Sequence, residues 1–375
     1  MTDRDSSPLV ERIRGEIRVG GPISFARFME RALYDPQDGY YARGPGRIGR
    51  GGDFFTASDV GRGFGRCVAA QLSEIDRTVG PFDPFDVLEF GSGRGLLARD
   101  VLDAMSELNP GLARRLRYRM VDRSAAMREA AQCEAPEAET IAPERLGDGY
   151  RGCVLAVELF DALPVHRLRR SDGRLREIYV DLDEHGALVE REGDPSEALV
   201  RLADRYGVAA EDGLEAEVAP GAITLFDAMQ RLLDRGVLLF VDYGDAAGEL
   251  YCAARGRGTL LAYHNNRTNQ QYLERVGEQD LTAHVNFTLL TDRARECGLS
   301  ILGTTTQDRF LIANGILDAF DVADAEWGRP RRVKQRLQAM QLIHPNGMGR
   351  MFKVLMLAKG CDPPPELNGL RDPFA

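Results

Sequence analysis

The sequence predicts an α/β fold, a doubly wound parallel sheet with helical and loop segments added around it. Three observations predict it: short apolar runs alternate with amphipathic helical patterns from about residue 84, the first run ends in a glycine-rich turn, and the second ends in an acid. Residues 8–80 precede this alternation and read as two helices, a long loop and a further helix. LVERIRGEIRVGG and FARFMERALYD space apolar residues three and four apart, whereas DPQDGYYARGPGRIGRGGDFFTASDVG is rich in turn residues. Tyr40, Tyr41, Phe54 and Phe55 are expected to anchor that loop.

DVLEFG then reads as a buried strand and RGLLARDVLDAM as a helix. LRYRMVD reads as a second strand, followed by a helix capped by Ser124. GCVLAVELF and GVLLFVDYG are further strands, the latter preceded by the helix ITLFDAMQRLLDRG. FTLLTDRARECGL predicts a helix, SILGTTT a strand, 321–342 a long helix that includes Trp327, and FKVLMLA the last strand. Two segments interrupt the pattern: 165–191 alternates apolar and polar residues as a hairpin or meander would, and 245–286 reads as irregular and polar. The expected organisation is therefore an N-terminal helical and loop lid over 1–83 and a core from 84–164, 220–244 and 287–360. Inserted segments cover 165–219 and 245–286, and a tail covers 361–375.

The 375 residues carry a formal charge of −10, 48 basic against 58 acidic. That balance argues against nucleic acid as the partner. Arg167, Arg169 and Arg170 form a basic run that reads as a solvated hairpin face. The six cysteines lie singly, without the short paired spacing of a zinc site, and no metal is expected. The N-terminus is charged without an apolar core, and no run approaches the ~20 apolar residues of a membrane-spanning helix. A cytoplasmic protein without membrane insertion is the expectation.

In VLEFGSGRGLL, Gly91, Gly93 and Gly95 follow Glu89. Such a turn lets a ligand approach the backbone, or serves only to reverse the chain. The third glycine comes one residue too early for the dinucleotide fingerprint G-x-G-x-x-G. A leading carboxylate suits a cationic ligand better than a pyrophosphate, and Asp122 follows Gly95 by 27 residues, where an acid accepts ribose hydroxyls. S-adenosyl-L-methionine, which carries an ammonium and a sulfonium and no phosphate, fits; a nicotinamide-dependent oxidoreductase is the weaker alternative. Glu158 and Asp161 follow the GCVLAV strand at the carboxyl edge of the sheet, where ligands of such folds bind. They can orient a guanidinium, which stays protonated at any working pH, or anchor a loop and cap a turn. Asp242 and Tyr243 end another strand at that edge, with Tyr243 placed to contact substrate or to pack.

In combination these segments resemble the MidA-like class I S-adenosylmethionine-dependent methyltransferases, a family that includes the mitochondrial complex I assembly factor that methylates a protein arginine. The resemblance runs through GPISFARFMERALYDPQDGYY, GGDFFTAS, EFGSGRG, ELFDALPVH, VDYG, GTLLAY, GEQDLTAHVNF and LIHPNGMGRMFKVL. It implies a Rossmann-like class I sheet and a donor held by Gly91, Gly93 and Asp122, with Glu89 nearby and Thr56 and Ser58 closing over it. Catalytic roles fall on Glu158, Asp161 and His284, the last beside Asp280 in DLTAHV. The implied partner is a protein substrate, a complex I subunit among the candidates, and a homodimer is open to it. The chain departs from the family at Val157, where Asn is usual, at Asn286, where Asp is common, and over 264–276. A binding protein that has lost the chemistry is the alternative these departures raise.

Overall fold

The computed structural model describes residues 7–47, 49, 52–53, 56–317 and 329–374. The chain divides into two compact units, one made of 55–159, 226–244 and 291–375, the other of 1–54, 160–225 and 245–290.

The first unit is built on a sheet of strands β1 (Phe85–Phe90), β2 (Leu116–Val121), β3 (Glu139–Ile141), β4 (Tyr150–Val157), β5 (Leu233–Asp245), β6 (Ser300–Thr306) and β7 (Phe352–Lys359). They lie in the order β3-β2-β1-β4-β5-β7-β6. β1 to β5 pair in parallel, whereas β7 runs antiparallel to both β5 and β6. This corrects the all-parallel expectation at one edge: the helix–turn connection from Arg329–Ile343 through Met348–Met351 returns the chain into β7 from the opposite end. Every residue of β1 is buried, as expected of a strand covered on both faces. Helices Gly63–Val79 and Leu96–Leu108 bring Phe64, Val68, Leu72, Leu97 and Val101 into the same core. Helix Gly63–Val79, expected with the N-terminal lid, thus belongs to the sheet, and so does the C-terminal tail, whose Leu367 joins that core.

The second unit gathers the N-terminal segment and both inserted segments. Helices Pro8–Gly20 and Phe25–Tyr34 start at Ser7 and Ser24, whose hydroxyls accept from Val10 N and Arg27 N. Their apolar faces share one core with Val165, Val180, Leu260, Tyr272 and Leu281. The 165–191 segment forms antiparallel strands His166–Ser171, Arg174–Leu182 and Leu188–Gly193, which with Glu215–Val218 and Ile23–Ser24 make a five-stranded sheet. Within 245–286, expected to be irregular, Leu261–His264 pairs with both Arg267–Asn269 and Asp280–Thr282 in a three-stranded sheet. Asn265 and Asn266, at φ 51° and 56°, form its two-residue turn, the conformation that right-twisted hairpins require.

The basic run is not a solvated face. Arg167 is buried, lies 4.9 Å from the ring centroids of both Phe25 and Tyr272, and pairs with Glu215 and Glu190. Arg169 pairs with Glu215 and Glu192, and Arg170 donates to the carbonyls of Ala209 and Gly173. Among the described residues no helix is long and apolar enough to cross a membrane, and no three His, Cys, Asp or Glu side chains cluster as metal ligands do. Phe54, Phe55 and Trp327 lie outside the described residues.

Candidate active site

The glycine turn after β1 is built from three glycines with three different reasons to be glycine. All have positive φ: Gly91 at 70°, Gly93 at 51° and Gly95 at 78°, a region that L side chains enter only at a cost. A Cβ on Gly91 would also lie 2.8 Å from Leu159 Cδ1, and one on Gly95 would lie 2.9 Å from the backbone of Ala131. Gly95 therefore lets helix Leu96–Leu108 approach helix Ala125–Glu134. A Cβ on Gly93 would meet nothing closer than Gly91 O at 4.0 Å. Gly93 is the glycine that faces open space, and Gly91 answers to Leu159.

Two acids flank the turn. Glu89 is buried in β1 and accepts a 2.9 Å hydrogen bond from the Tyr118 hydroxyl of β2. Burial pushes its carboxyl up to about 8; the Tyr118 bond works against that and the nearby Asp122 adds to it. Asp122, at the end of β2, accepts from Gly93 N at 3.3 Å through Oδ2 and from Ser124 N at 2.8 Å through Oδ1. Burial raises its pKa as well. Ser124 caps the next helix, its hydroxyl accepting from Met127 N.

The segment carrying Thr56 and Ser58 is a single helical turn, Ala57–Val60. Thr56 precedes it, and its amide and hydroxyl both donate to Asp59 Oδ2, at 3.0 and 3.1 Å. Asp59 Oδ1 pairs with Arg94, the residue inside the glycine turn. The Ala57 amide donates to Glu158 Oε1 at 2.7 Å. One turn of helix thereby ties the glycine loop to the end of β4.

Glu158 leaves β4 at φ 52°, unusual for a residue with a side chain. Its amide bonds to Val241 O at 2.9 Å, and the next amide, of Leu159, bonds to Asp242 Oδ2 at 3.0 Å. Burial pushes the Glu158 carboxyl up to about 8; the Ala57 amide opposes the shift, and Asp242 and Asp59 reinforce it. The loop-anchoring role is thus real for one oxygen of this carboxylate. Tyr243 packs its ring 4.0 Å from that of Phe352.

Asp161 and His284 lie in the other unit. Asp161 is buried, and its carbonyl accepts from Ala283 N at 2.9 Å. His284 Nδ1 lies 3.3 Å from Arg255 Nη1, and Arg255 also pairs with Asp245 at 2.6 Å. Facing a guanidinium, Nδ1 acts as an acceptor, which occupies the nitrogen that a general base would use. Asp280 accepts from the Tyr41 hydroxyl at 2.9 Å, and burial pushes its carboxyl up to about 7. Tyr40 donates to Asp53 at 3.0 Å.

The residues around the glycine turn fit a methyl donor. Glu89 is a buried carboxyl that a cationic group beside it would ionise, and Asp122 is an acceptor held at the strand end. Gly93 leaves open space beside the turn. Residues 64–305 match the profile of an S-adenosyl-L-methionine-dependent methyltransferase family. The chain belongs to this family. It is 31% identical to a superfamily member from Burkholderia thailandensis, solved bound to S-adenosyl-homocysteine, with TM-score 0.87 over 96% of this chain and 94% of that one. It is also 31% identical to the protein arginine methyltransferase NDUFAF7 homolog, mitochondrial, of Drosophila melanogaster, over 81% of this chain and 74% of the relative. Identity to the Rattus norvegicus protein arginine methyltransferase NDUFAF7, mitochondrial, is 26% over 94% and 84%. The protein is a methyltransferase whose donor is S-adenosyl-L-methionine. The expected cytoplasmic location is overturned: these relatives are named mitochondrial.

Two of the family departures have a physical reading. Asn286 caps helix Phe287–Glu296, its Oδ1 accepting from Leu289 N at 3.0 Å, a task that Asn and Asp perform equally well. Within 264–276, the amides of Asn265 and Asn266 bond to Asp53. The structure offers no account of Val157 beyond its packing against the sheet core.

Proposed function

We propose that the protein methylates arginine in a protein substrate, with Glu158 as the carboxylate that orients the guanidinium. The observation that carries this reading is the placement of Glu158: a half-buried carboxyl group at the carboxyl end of β4, fixed through Oε1 to Ala57 and close to Asp242 and Asp59. The names of the Drosophila and Rattus relatives support arginine as acceptor. S-adenosyl-L-methionine supplies an electrophilic methyl group. The chain's own residues then have two tasks. Glu89 and Asp122 hold the donor by charge and by hydrogen bonds. Glu158 accepts from the guanidinium N–H groups, which aligns one nitrogen and concentrates electron density on it. Neutral at the lower end of the physiological range, Glu158 ionises when a cation is brought beside it.

A subunit of respiratory complex I as acceptor, and a homodimeric enzyme, are the finer proposals that follow from the resemblance. The test is incubation with methyl-labelled donor and candidate protein substrates, followed by mass spectrometry of the labelled residue. Label on arginine that Glu158→Gln abolishes supports the reading. Label on lysine or a small molecule, or arginine label unaffected by the substitution, overturns it. Sedimentation of the purified protein decides the dimer.

A further inference from the structure

Arg94 stands between Gly93 and Gly95, and its guanidinium reaches across to Asp59. The Asp59 side chain is 6% exposed, and among the described residues Arg94 is its only ion-pair partner. Its two oxygens have separate tasks. Oδ1 takes Arg94, whereas Oδ2 accepts from the amide and hydroxyl of Thr56 and closes the cap of the turn Ala57–Val60. The first amide of that turn, Ala57 N, holds Glu158 Oε1. A chain of polar contacts therefore runs from the glycine turn to the end of β4, and every member belongs to the sheet-bearing unit. Glu158 lies among acids: Asp242 on β5 and Asp59 on the turn both face it, opposed by the Ala57 amide. Arg94 offsets one of those two negative charges through its pairing with Asp59. A helix of one turn does not hold its own shape, so the direction of the Ala57 amide depends on Asp59 staying in place.

We propose that Arg94 positions the acceptor-binding carboxyl: by fixing Asp59 it holds the turn whose first amide orients Glu158. Arg94 is then a positioning residue, acting through Asp59 and Ala57 without touching the acceptor. The inference rests on the reading of Glu158 as the group that orients the acceptor guanidinium. Removing Arg94 has two effects of the same sign. Asp59 stands beside Glu158 with its charge no longer offset, and the Ala57 amide loses its fixed direction. Both make the Glu158 anion harder to form, so acceptor turnover then needs a higher pH.

The test is the pH profile of kcat/KM for the arginine acceptor on the full chain, measured beside calorimetry of S-adenosyl-homocysteine. In Arg94→Met, which keeps the apolar stem, the rising limb should move up by about one pH unit, a loss of roughly tenfold at neutral pH. Its affinity for S-adenosyl-homocysteine should stay within about twofold of wild type, which also shows that the variant is folded. Arg94→Lys, which keeps the charge, should leave the limb near its wild-type position. Asp59→Asn should move it down, since the acid is gone and the guanidinium remains. A limb that Arg94→Met does not move, or that Asp59→Asn moves up, overturns the proposal. So does a loss of S-adenosyl-homocysteine affinity as large as the loss in turnover, which would make Arg94 a donor ligand. Glu158→Gln in the same assay separates the two readings. If it leaves arginine labelling unaffected, the role of Glu158 falls and that of Arg94 with it. If it abolishes labelling while Arg94→Met matches wild type, only the role of Arg94 falls.

Discussion

The amide of Ala57 donates a 2.7 Å hydrogen bond to Glu158 Oε1. The bond joins the turn that follows Thr56 to the residue proposed to hold the acceptor, while Asp59 of the same turn holds Arg94 of the glycine loop. The glycine loop and Glu158 therefore share one support.

Glu158 should impose a pH dependence on acceptor turnover. With its carboxyl pushed up to about 8, kcat/KM for the acceptor, which reports the free enzyme, should rise with pH and level off above pH 8. Glu158→Gln should lower kcat/KM by about 100-fold or more and remove the rising limb. A wild-type profile that is flat from pH 6 to 9 contradicts this role.

The glycines should separate by what they damage. Gly95→Ala sets a Cβ against the backbone of Ala131 in a conformation unfavourable to L residues, and should cost about 1–3 kcal/mol of stability in urea unfolding. Gly93→Ala carries the φ penalty without the clash, so its larger effect should appear in calorimetry as weakened S-adenosyl-homocysteine binding. If Gly93→Ala binds like wild type, the open space beside it is not the donor's.

Stability should fall as pH rises toward 8. Burial raises the carboxyls of Glu89, Glu158 and Asp280 from ordinary values of 4.5, 4.5 and 3.8 to about 8, 8 and 7. Between those limits the folded chain binds more protons than the unfolded one. The stabilisation is full below the unfolded pKa and is lost as pH climbs through the folded one. Melting at pH 8.5 should come several degrees below melting at pH 6, and Glu89→Gln should shrink the difference. A melting temperature that rises between these pH values rules the account out.

Arg167 should be the costliest arginine to truncate. Its guanidinium is buried between two rings and two carboxylates, so Arg167→Ala strips Glu190 of this partner, leaves Glu215 to Arg169 alone and empties the space between the rings, at about 3 kcal/mol. Arg167→Met, which restores the apolar stem between Phe25 and Tyr272, should cost less than Arg167→Ala. Urea melts of the two variants test the order.

Much of the sheet was legible because β1, β2, β4 and β5 are apolar runs bounded by helical periods. β3 was not, since Glu139–Ile141 is three residues long and no more than half-buried. The antiparallel sense of β7 leaves no mark in FKVLMLA, because a strand covered on both faces reads alike in either direction. The Asn265–Asn266 turn was a local signal that went unread: two adjacent asparagines tolerate the positive φ of a hairpin. At the glycine turn, the spacing of Glu89, Gly93 and Asp122 marked residues that the structure brings together, with Asp122 Oδ2 accepting from Gly93 N. Arg167 read as solvated because its ring partners, Phe25 and Tyr272, are distant in sequence.

Leu9, Phe25 and Phe28 share their core with Val165, Val180, Leu281 and Ala283. During synthesis, the first two helices leave the ribosome long before most of the surface that covers them exists. They must wait, with Phe25 and Phe28 uncovered, until the segment near residue 283 emerges. The sheet-bearing unit also draws on the chain up to Leu367, so neither unit can be completed early. Truncated chains ending before residue 280 should therefore be aggregation-prone and need chaperones, even when the glycine turn and its two acids are already made.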